Sequence, residues 1–180
     1  MNYIKTYDNV LTANQCQHLI DKFEDSKNQW IKTELEGHRS FTEININLHN
    51  DWQEYVKILY ESLNPYIAKY VKECNIKNNQ WPEKYGWEQI RFKKYEVNDR
   101  DEFKEHVDVT DYATAKRFLV FFLYLNNNKE GFTTFTEYDT TVQPETGKLL
   151  MFPPLWTHKH TATKPKEYPK YIIGSYLHYL

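Results

Sequence analysis

The chain has 180 residues, 40% of them hydrophobic and 17% aromatic, with a formal net charge of −2. That is enough apolar chain for one domain with its own core, and the charge offers no electrostatic footprint for nucleic acid or an anionic membrane surface. Two cysteines, Cys16 and Cys74, exclude a disulfide scaffold and suit a reducing, cytoplasmic setting. The N-terminus carries no apolar signal core, and no run of about 18 apolar residues is present to span a membrane.

Thr12 with Gln15 three residues on reads as a capping box, followed by Cys16, Leu19, Ile20 and Phe23 on one helical face. Residues 33–48 show no clear period, although Ile44, Ile46 and Leu48 alternate with polar residues, which allows a strand. A second helix is expected over residues 51–72, with a stripe of Trp52, Tyr55, Val56, Leu59, Leu63, Tyr66, Ile67 and Tyr70. Pro65 lies inside it and should kink or split it. After Trp81-Pro82 the period changes to two. Residues 88–95 place Ile90 and Phe92 on one face and Gln89, Arg91, Lys93 and Tyr95 on the other. Residues 117–125 are nearly all apolar, as in a central strand buried on both faces. Residues 148–152 and 170–180 add two more strands, with turns at Asn126-Asn127-Asn128 and Glu145-Thr146-Gly147. Helices first and strands later give an α+β class. We expect a single domain over residues 1–180, with 1–80 a mainly helical support and 86–180 a β core.

Within that core stand His106-Val107-Asp108, then Trp156-Thr157-His158-Lys159-His160, then Lys170. Two histidines and one carboxylate on one face can hold Fe(II) and leave three coordination positions open, two for a 2-oxo acid and one for O2. His106 and Asp108 are two apart, so in extended chain they point the same way. The third ligand must come from a strand brought alongside. His158 and His160 have the same parity, and either can supply it. Taken singly, His106 reads as a surface residue ahead of a strand, Lys170 as an edge lysine and Tyr124 as a core tyrosine; the ordered set is what carries the chemistry.

Residues 86–180 resemble the 2-oxoglutarate/Fe(II) oxygenases, specifically their prolyl-4-hydroxylase-like branch. The matching runs are Lys94-Tyr95, His106-Val107-Asp108-Val109, Lys116 to Asn126, Gly147 to Pro154, Trp156-Thr157, His160 and Pro169 to Ile173. The resemblance implies a double-stranded β-helix, or jelly roll, with the N-terminal helices packed on its major sheet. It implies Fe(II) as metal, and 2-oxoglutarate and O2 as co-substrates, with 2-oxoglutarate decarboxylated to succinate. The family pattern puts the second histidine four residues after the Trp and about ten before a basic residue. That selects His160, so His106, Asp108 and His160 are the implied ligands. Lys170 is implied as the anchor of the distal, C5 carboxylate of 2-oxoglutarate, Tyr124 as a second donor to it, and Tyr95 as a wall of the same pocket. Two departures stand out. Glu130 replaces the first glycine of a family Gly-Gly pair ahead of Thr133 and Phe135, and Val97-Asn98-Asp99-Arg100 replaces a glycine turn after Tyr95.

Strand parity extends the reading to the substrate. If Tyr95 faces the cavity, Arg91 and Lys93 do too, and the same logic aims Tyr176 and His178 inward. Arg91, Tyr176 and Trp156 are then expected to border the substrate cleft, with Arg91 on a substrate carbonyl or carboxylate. The resemblance implies hydroxylation of an unactivated C–H bond, with peptidyl proline the leading substrate. A small molecule or a nucleobase stays open, as does a jelly-roll module that binds without turnover. Nucleic acid is disfavoured by the lack of a basic stripe. A halogenase is excluded by Asp108, since those enzymes lose the carboxylate. Lys170 argues against a mere binding module, which needs no 2-oxoglutarate anchor. Substrate identity and oligomeric state are not legible in the sequence.

Overall fold

In the computed structural model, which describes residues 2–180, the elements follow in order: β1 (Lys5–Tyr7), α1 (Ala13–Asp25), β2 (Ile31–Leu35), β3 (Arg39–Asn45), α2 (Gln53–Glu73), β4 (Tyr85–Trp87), β5 (Arg91–Tyr95), β6 (Phe103–His106), β7 (Arg117–Tyr124), β8 (Thr133–Phe135), β9 (Thr140–Val142), β10 (Leu149–Phe152), β11 (His160–Ala162) and β12 (Lys170–Tyr179). The strands form one antiparallel sheet in the order β1-β10-β7-β12-β5-β3-β6-β11-β8-β9, with β2 beside β3 and β4 beside β12. The sheet curls on itself. Phe135 of β8 and Phe152 of β10 lie far apart in strand order, yet their rings are 4.7 Å apart. Among the described residues, no helix is long and apolar enough to cross a membrane.

The two-residue period of the strands sorts the apolar side chains into two cores. Leu119, Phe121 and Leu123 of β7, Leu149 and Met151 of β10, and Ile173 and Leu177 of β12 cluster with Leu19 and Phe23 of α1 and Leu59 and Leu63 of α2. Val120 and Tyr124 of β7, Leu150 and Phe152 of β10, and Ile172 of β12 form the second cluster, inside the curl. The expected central strand is therefore β7, flanked by β10 and β12.

The first helix starts as expected: Gln15 N–H donates to Thr12 Oγ1 at 3.3 Å and Thr12 N–H to Gln15 Oε1 at 2.9 Å. The second runs unbroken through Pro65, so of the expected kink or split the split does not occur. Glu61 and Pro65 both lie on its exposed side, so the carbonyl that loses its donor faces water. Residues 33–48 form a hairpin of β2 and β3 followed by a short turn, and Leu48 ends up exposed rather than in a strand. The first 80 residues are thus more than helical support, because β3 sits inside the sheet between β5 and β6. Gly147 closes the turn before β10 at φ +75°, where a Cβ would lie 2.2 Å from the Leu11 carbonyl oxygen.

Candidate active site

β6 ends on His106 and β11 begins on His160, and the two residues are direct cross-strand partners. Asp108 follows two residues on, held because its own N–H and that of Val109 both donate to the Pro154 carbonyl at 3.2 Å. One ligand atom from each of His106, Asp108 and His160 lies within 4.8 Å of the others. His106 Nε2 is 3.6 Å from Asp108 Oδ1, and His160 Nε2 is 3.8 Å from Asp108 Oδ2.

The other nitrogen of each imidazole fixes its tautomer. His106 Nδ1 lies 2.7 Å from the Lys104 carbonyl oxygen, and His160 Nδ1 lies 3.1 Å from that of His158. A carbonyl only accepts, so each Nδ1 carries the proton and each Nε2 turns a lone pair toward the shared centre. His160 Nε2 and Asp108 Oδ2 are buried and have no hydrogen-bond partner among the described residues. Tyr176 donates its hydroxyl to Asp108 Oδ1 at 3.0 Å, and Phe103 stacks on His106 with ring centroids 3.4 Å apart. Burial pushes the Asp108 carboxyl up, but the contacts with His106 and His160 outweigh it and hold it near about 2. Burial pushes His160 down to about 4, which Asp108 offsets only in part. A neutral imidazole and an ionised carboxylate are the forms that ligate a divalent metal.

His158 is not brought to this point. It ends a short turn, Trp156–His158, where its ring stacks on Tyr138 at 4.9 Å and its Nδ1 lies 2.9 Å from Thr157 Oγ1.

The three residues lie on a cavity of about 800 Å³. Lys170 also lines it; its side chain is buried, donates to the Gly131 carbonyl at 2.8 Å and lies 4.4 Å from the Tyr95 ring centroid. Burial, with Lys93 adding to it, pushes the Lys170 ammonium down to about 7. Gly131 reaches that position at φ +76°. The Glu130 departure is harmless there, since its carboxylate pairs with Lys166 at 2.8 Å on the surface. In the other departure, Asn98 supplies the turn by accepting the N–H groups of Arg100 and Asp101. Tyr124 requires a correction. It stands one layer behind the cavity, and its hydroxyl donates to Thr133 Oγ1 at 2.6 Å, while Thr133 is the residue that lines the wall.

On the substrate side, Arg91, Lys93, Tyr95 and Tyr176 all line the cavity, while Phe92 turns to the helices and stacks on Phe23 at 4.5 Å. His178 keeps the parity of Tyr176 but lies past the end of the cavity, 4.0 Å from Glu88 Oε1. Nor does Trp156, which is 79% exposed on its turn. The expectation that Trp156 borders the cleft assumed an extended chain that the turn interrupts. Three wall residues from β3, namely Arg39, Phe41 and Glu43, were missed. Their signal was the alternation of a strand whose inward side chains are largely polar.

The sequence profile of the 2OG-Fe(II) oxygenase superfamily matches residues 90–178. No curated protein matches the chain by sequence. Among solved structures, a prolyl hydroxylase from Trichoplax adhaerens, in complex with a hypoxia inducible factor oxygen degradation domain peptide fragment, superposes with a TM-score of 0.75 at 16% identity, over 99% of this chain and 84% of that one. The 2OG complex of a viral collagen prolyl hydroxylase from Paramecium Bursaria Chlorella virus-1 gives 0.69 at 16% identity, over 99% and 97%. A Pseudomonas putida prolyl-4-hydroxylase gives 0.70 at 13%, over 100% and 94%. Those likenesses fix the jelly-roll fold, and with the profile match the chain belongs to the 2OG-Fe(II) oxygenase superfamily, dioxygenases that work with Fe(II), 2-oxoglutarate and O2.

Proposed function

We propose that this dioxygenase hydroxylates an unactivated C–H bond, and that its substrate is a peptidyl proline. The observation that carries the reading is the convergence of His106, Asp108 and His160 within 4.8 Å on a cavity that Lys170 also lines. In this reading the three residues hold Fe(II), and Lys170 takes the C5 carboxylate of 2-oxoglutarate beside Tyr95. The buried, unpartnered Nε2 of His160 and Oδ2 of Asp108 suit such a metal. Bound Fe(II) supplies the coordination positions at which 2-oxoglutarate and O2 meet.

The chain's own residues do the positioning. The Lys104 and His158 carbonyls hold the two imidazoles in the ligating tautomer, and Tyr176 fixes one oxygen of Asp108. Phe103, stacked on His106, covers that ring. Arg91 and Tyr176 border the substrate. Helices α1 and α2 serve as the support of the major sheet, a role their shared core with β7, β10 and β12 favours. Two free, buried cysteines suit a reducing cytoplasm. The peptidyl-proline reading rests on the relatives, two of which are described as acting on collagen or as binding a peptide fragment. A small-molecule substrate is the second reading, favoured by the unpaired cations on the cavity wall.

The test replaces iron with redox-inert Mn(II). Together with 2-oxoglutarate it should raise the melting temperature of the wild-type protein and of His158→Ala, but not of His160→Ala. The reverse outcome for the two histidines exchanges their roles. For the substrate, the iron-loaded enzyme is incubated with host lysate. Single-oxygen mass gains on peptidyl prolines support the first reading; gains confined to small molecules favour the second.

A further inference from the structure

The cavity wall holds more positive charge than the iron site and the co-substrate require. In the reading above, on which this inference rests, the charges of Fe(II) and Lys170 are balanced by Asp108 and the two carboxylates of 2-oxoglutarate. Arg39 from β3, and Arg91 and Lys93 from β5, line the same cavity and remain. None of these three forms an ion pair among the described residues, whereas the wall's Arg117 pairs with Glu88 at 2.9 Å and Lys159 with Glu105 at 3.2 Å. The acid opposite them is Glu43, the cross-strand partner of Lys93, and it accepts the Thr33 hydroxyl at 2.9 Å. Asp111, a further acid on the wall, is exposed and accepts from Thr114 N–H, and even with it two acids do not balance three cations. Arg39 Nε is buried with no acceptor among the described residues.

We infer that the substrate itself carries a carboxylate, and that Arg91, Lys93 and Arg39 form the subsite that receives it. The physical case is desolvation: a partly buried cation without a partner is unfavourable, and a neutral substrate closing the cavity would make it worse. A carboxylate reverses this, because a guanidinium fork can bind both of its oxygens. The flanks of the subsite are aromatic. Lys93 Nζ lies 4.8 Å from the Phe41 ring centroid and Arg39 Cζ 5.5 Å from that of Phe103. A small planar anion on a short apolar stem fits between such walls. The carboxylate can be that of a free amino acid or the C-terminus of a peptide.

The test uses isosteric pairs that differ only in charge: L-proline and L-prolinamide, N-acetylglycyl-L-proline and its amide, and N-acetyl-L-leucine and its amide. Each is titrated calorimetrically into wild-type protein loaded with Mn(II) and 2-oxoglutarate. At least one acid should bind about 10- to 100-fold more tightly than its amide, the size of a hydrogen bond to a charged group. The first pair reports a free amino acid, the second a peptide end, and the third a carboxylate without proline. Arg91→Gln and Lys93→Met should each cut that preference to about two-fold or less, and Lys93→Arg should keep it. Their affinity for 2-oxoglutarate should shift by less than about three-fold, because Lys170 still holds it. No acid preferred over its amide, or a preference that survives in both neutral variants, overturns the inference. So does an equal loss of 2-oxoglutarate and probe affinity, which would assign these cations to the co-substrate. If the wild type fails to bind 2-oxoglutarate with Mn(II), the oxygenase site itself is misread and the inference falls with it.

Discussion

Lys93 and Lys94 are adjacent on β5 and meet opposite environments. Lys94 turns to the helix side, where Glu24 and Glu96 each approach its ammonium at 2.7 Å and the rings of Trp30 and Tyr171 lie beneath it. Burial pushes its pKa down, but the two carboxylates outweigh it and the net shift is upward. Lys93 turns to the cavity and has no ion pair there among the described residues. Burial pushes it down, and Glu43 and Asp108 offset that only in part. The helix-facing side of the sheet is complete, with its buried ammonium matched. The cavity side is left incomplete, which is what a binding site looks like before its ligand supplies the missing charge. Stability and function are thus assigned to alternate residues of the same strands.

The strongest way to break this contrast is at Lys170. Lys170→Met should weaken 2-oxoglutarate binding by about 100-fold or more, since a buried carboxylate loses its cation. The ligand-free protein should melt no lower than wild type, because the variant no longer buries an unpaired ammonium. Calorimetry and thermal denaturation check the two halves, and unchanged 2-oxoglutarate affinity would refute the anchor role. The pH dependence follows from the same shift. With Lys170 near about 7 in the fold and about 10.4 in the unfolded chain, the unfolded chain binds the extra proton between those values. The Lys170 contribution therefore makes the ligand-free protein more stable as pH rises from about 7 toward 10, and Lys170→Met should remove that part of the slope.

On the helix side the same substitution should act in reverse. Lys94→Met strands the carboxylates of Glu24 and Glu96, and should cost about 1–2 kcal/mol of stability, a modest figure because both acids are partly exposed. Urea denaturation measures it. Its 2-oxoglutarate affinity should match wild type; a binding defect as large as that of Lys170→Met would erase the distinction between the faces.

How much of this was legible depended on whether local pattern and tertiary role agreed. On β5, Phe92 and Arg91 alternate cleanly between apolar and polar, so the face toward the cavity could be assigned from sequence. On β3 the inward residues are Arg39, Phe41 and Glu43 and the outward ones include Ser40 and Thr42. A cavity wall does not need apolar side chains, so the period carried little hydrophobic contrast and the strand was allowed by the sequence but could not be placed. That His106 and Asp108 point to one side was legible from their spacing, while their role as ligands rested on the ordered set and the family resemblance. Spacing could not choose between His158 and His160, because parity serves both; the family pattern chose His160, and the turn at Trp156–His158 holds His158 apart. That same turn carries Trp156 outward, and the cavity ends short of His178, a limit set by tertiary packing that no residue type announces.

Gly131 tests how the anchor is aimed. Its carbonyl accepts from Lys170, and its φ of +76° disfavours any side chain. A Cβ there would sit 3.4 Å from Lys170 Cδ and 3.4 Å from Pro165 Cα, a contact at the tight end of normal. Gly131→Ala should therefore cost about 1 kcal/mol through backbone strain and raise the KM for 2-oxoglutarate several-fold as the carbonyl shifts. A KM equal to wild type would mean that Lys170 finds its position without this acceptor.

The smallest effect separates a wall residue from its support. Tyr124 donates to Thr133 Oγ1 from behind, and Thr133 meets the cavity. With its acceptor lone pair engaged by the tyrosine, the Thr133 hydroxyl is free to point its own proton into the cavity, toward the carboxylate that we propose Lys170 holds. Tyr124→Phe removes one neutral hydrogen bond, worth about 0.5–1.5 kcal/mol, and leaves Thr133 in place with its hydroxyl less constrained. The KM for 2-oxoglutarate should rise by about two- to five-fold, with kcat nearly unchanged. Thr133→Val removes the group that faces the cavity and strands the tyrosine hydroxyl, so its effect should be larger. If Tyr124→Phe is the more damaging of the two, the tyrosine touches the co-substrate directly and the layer order described above is wrong.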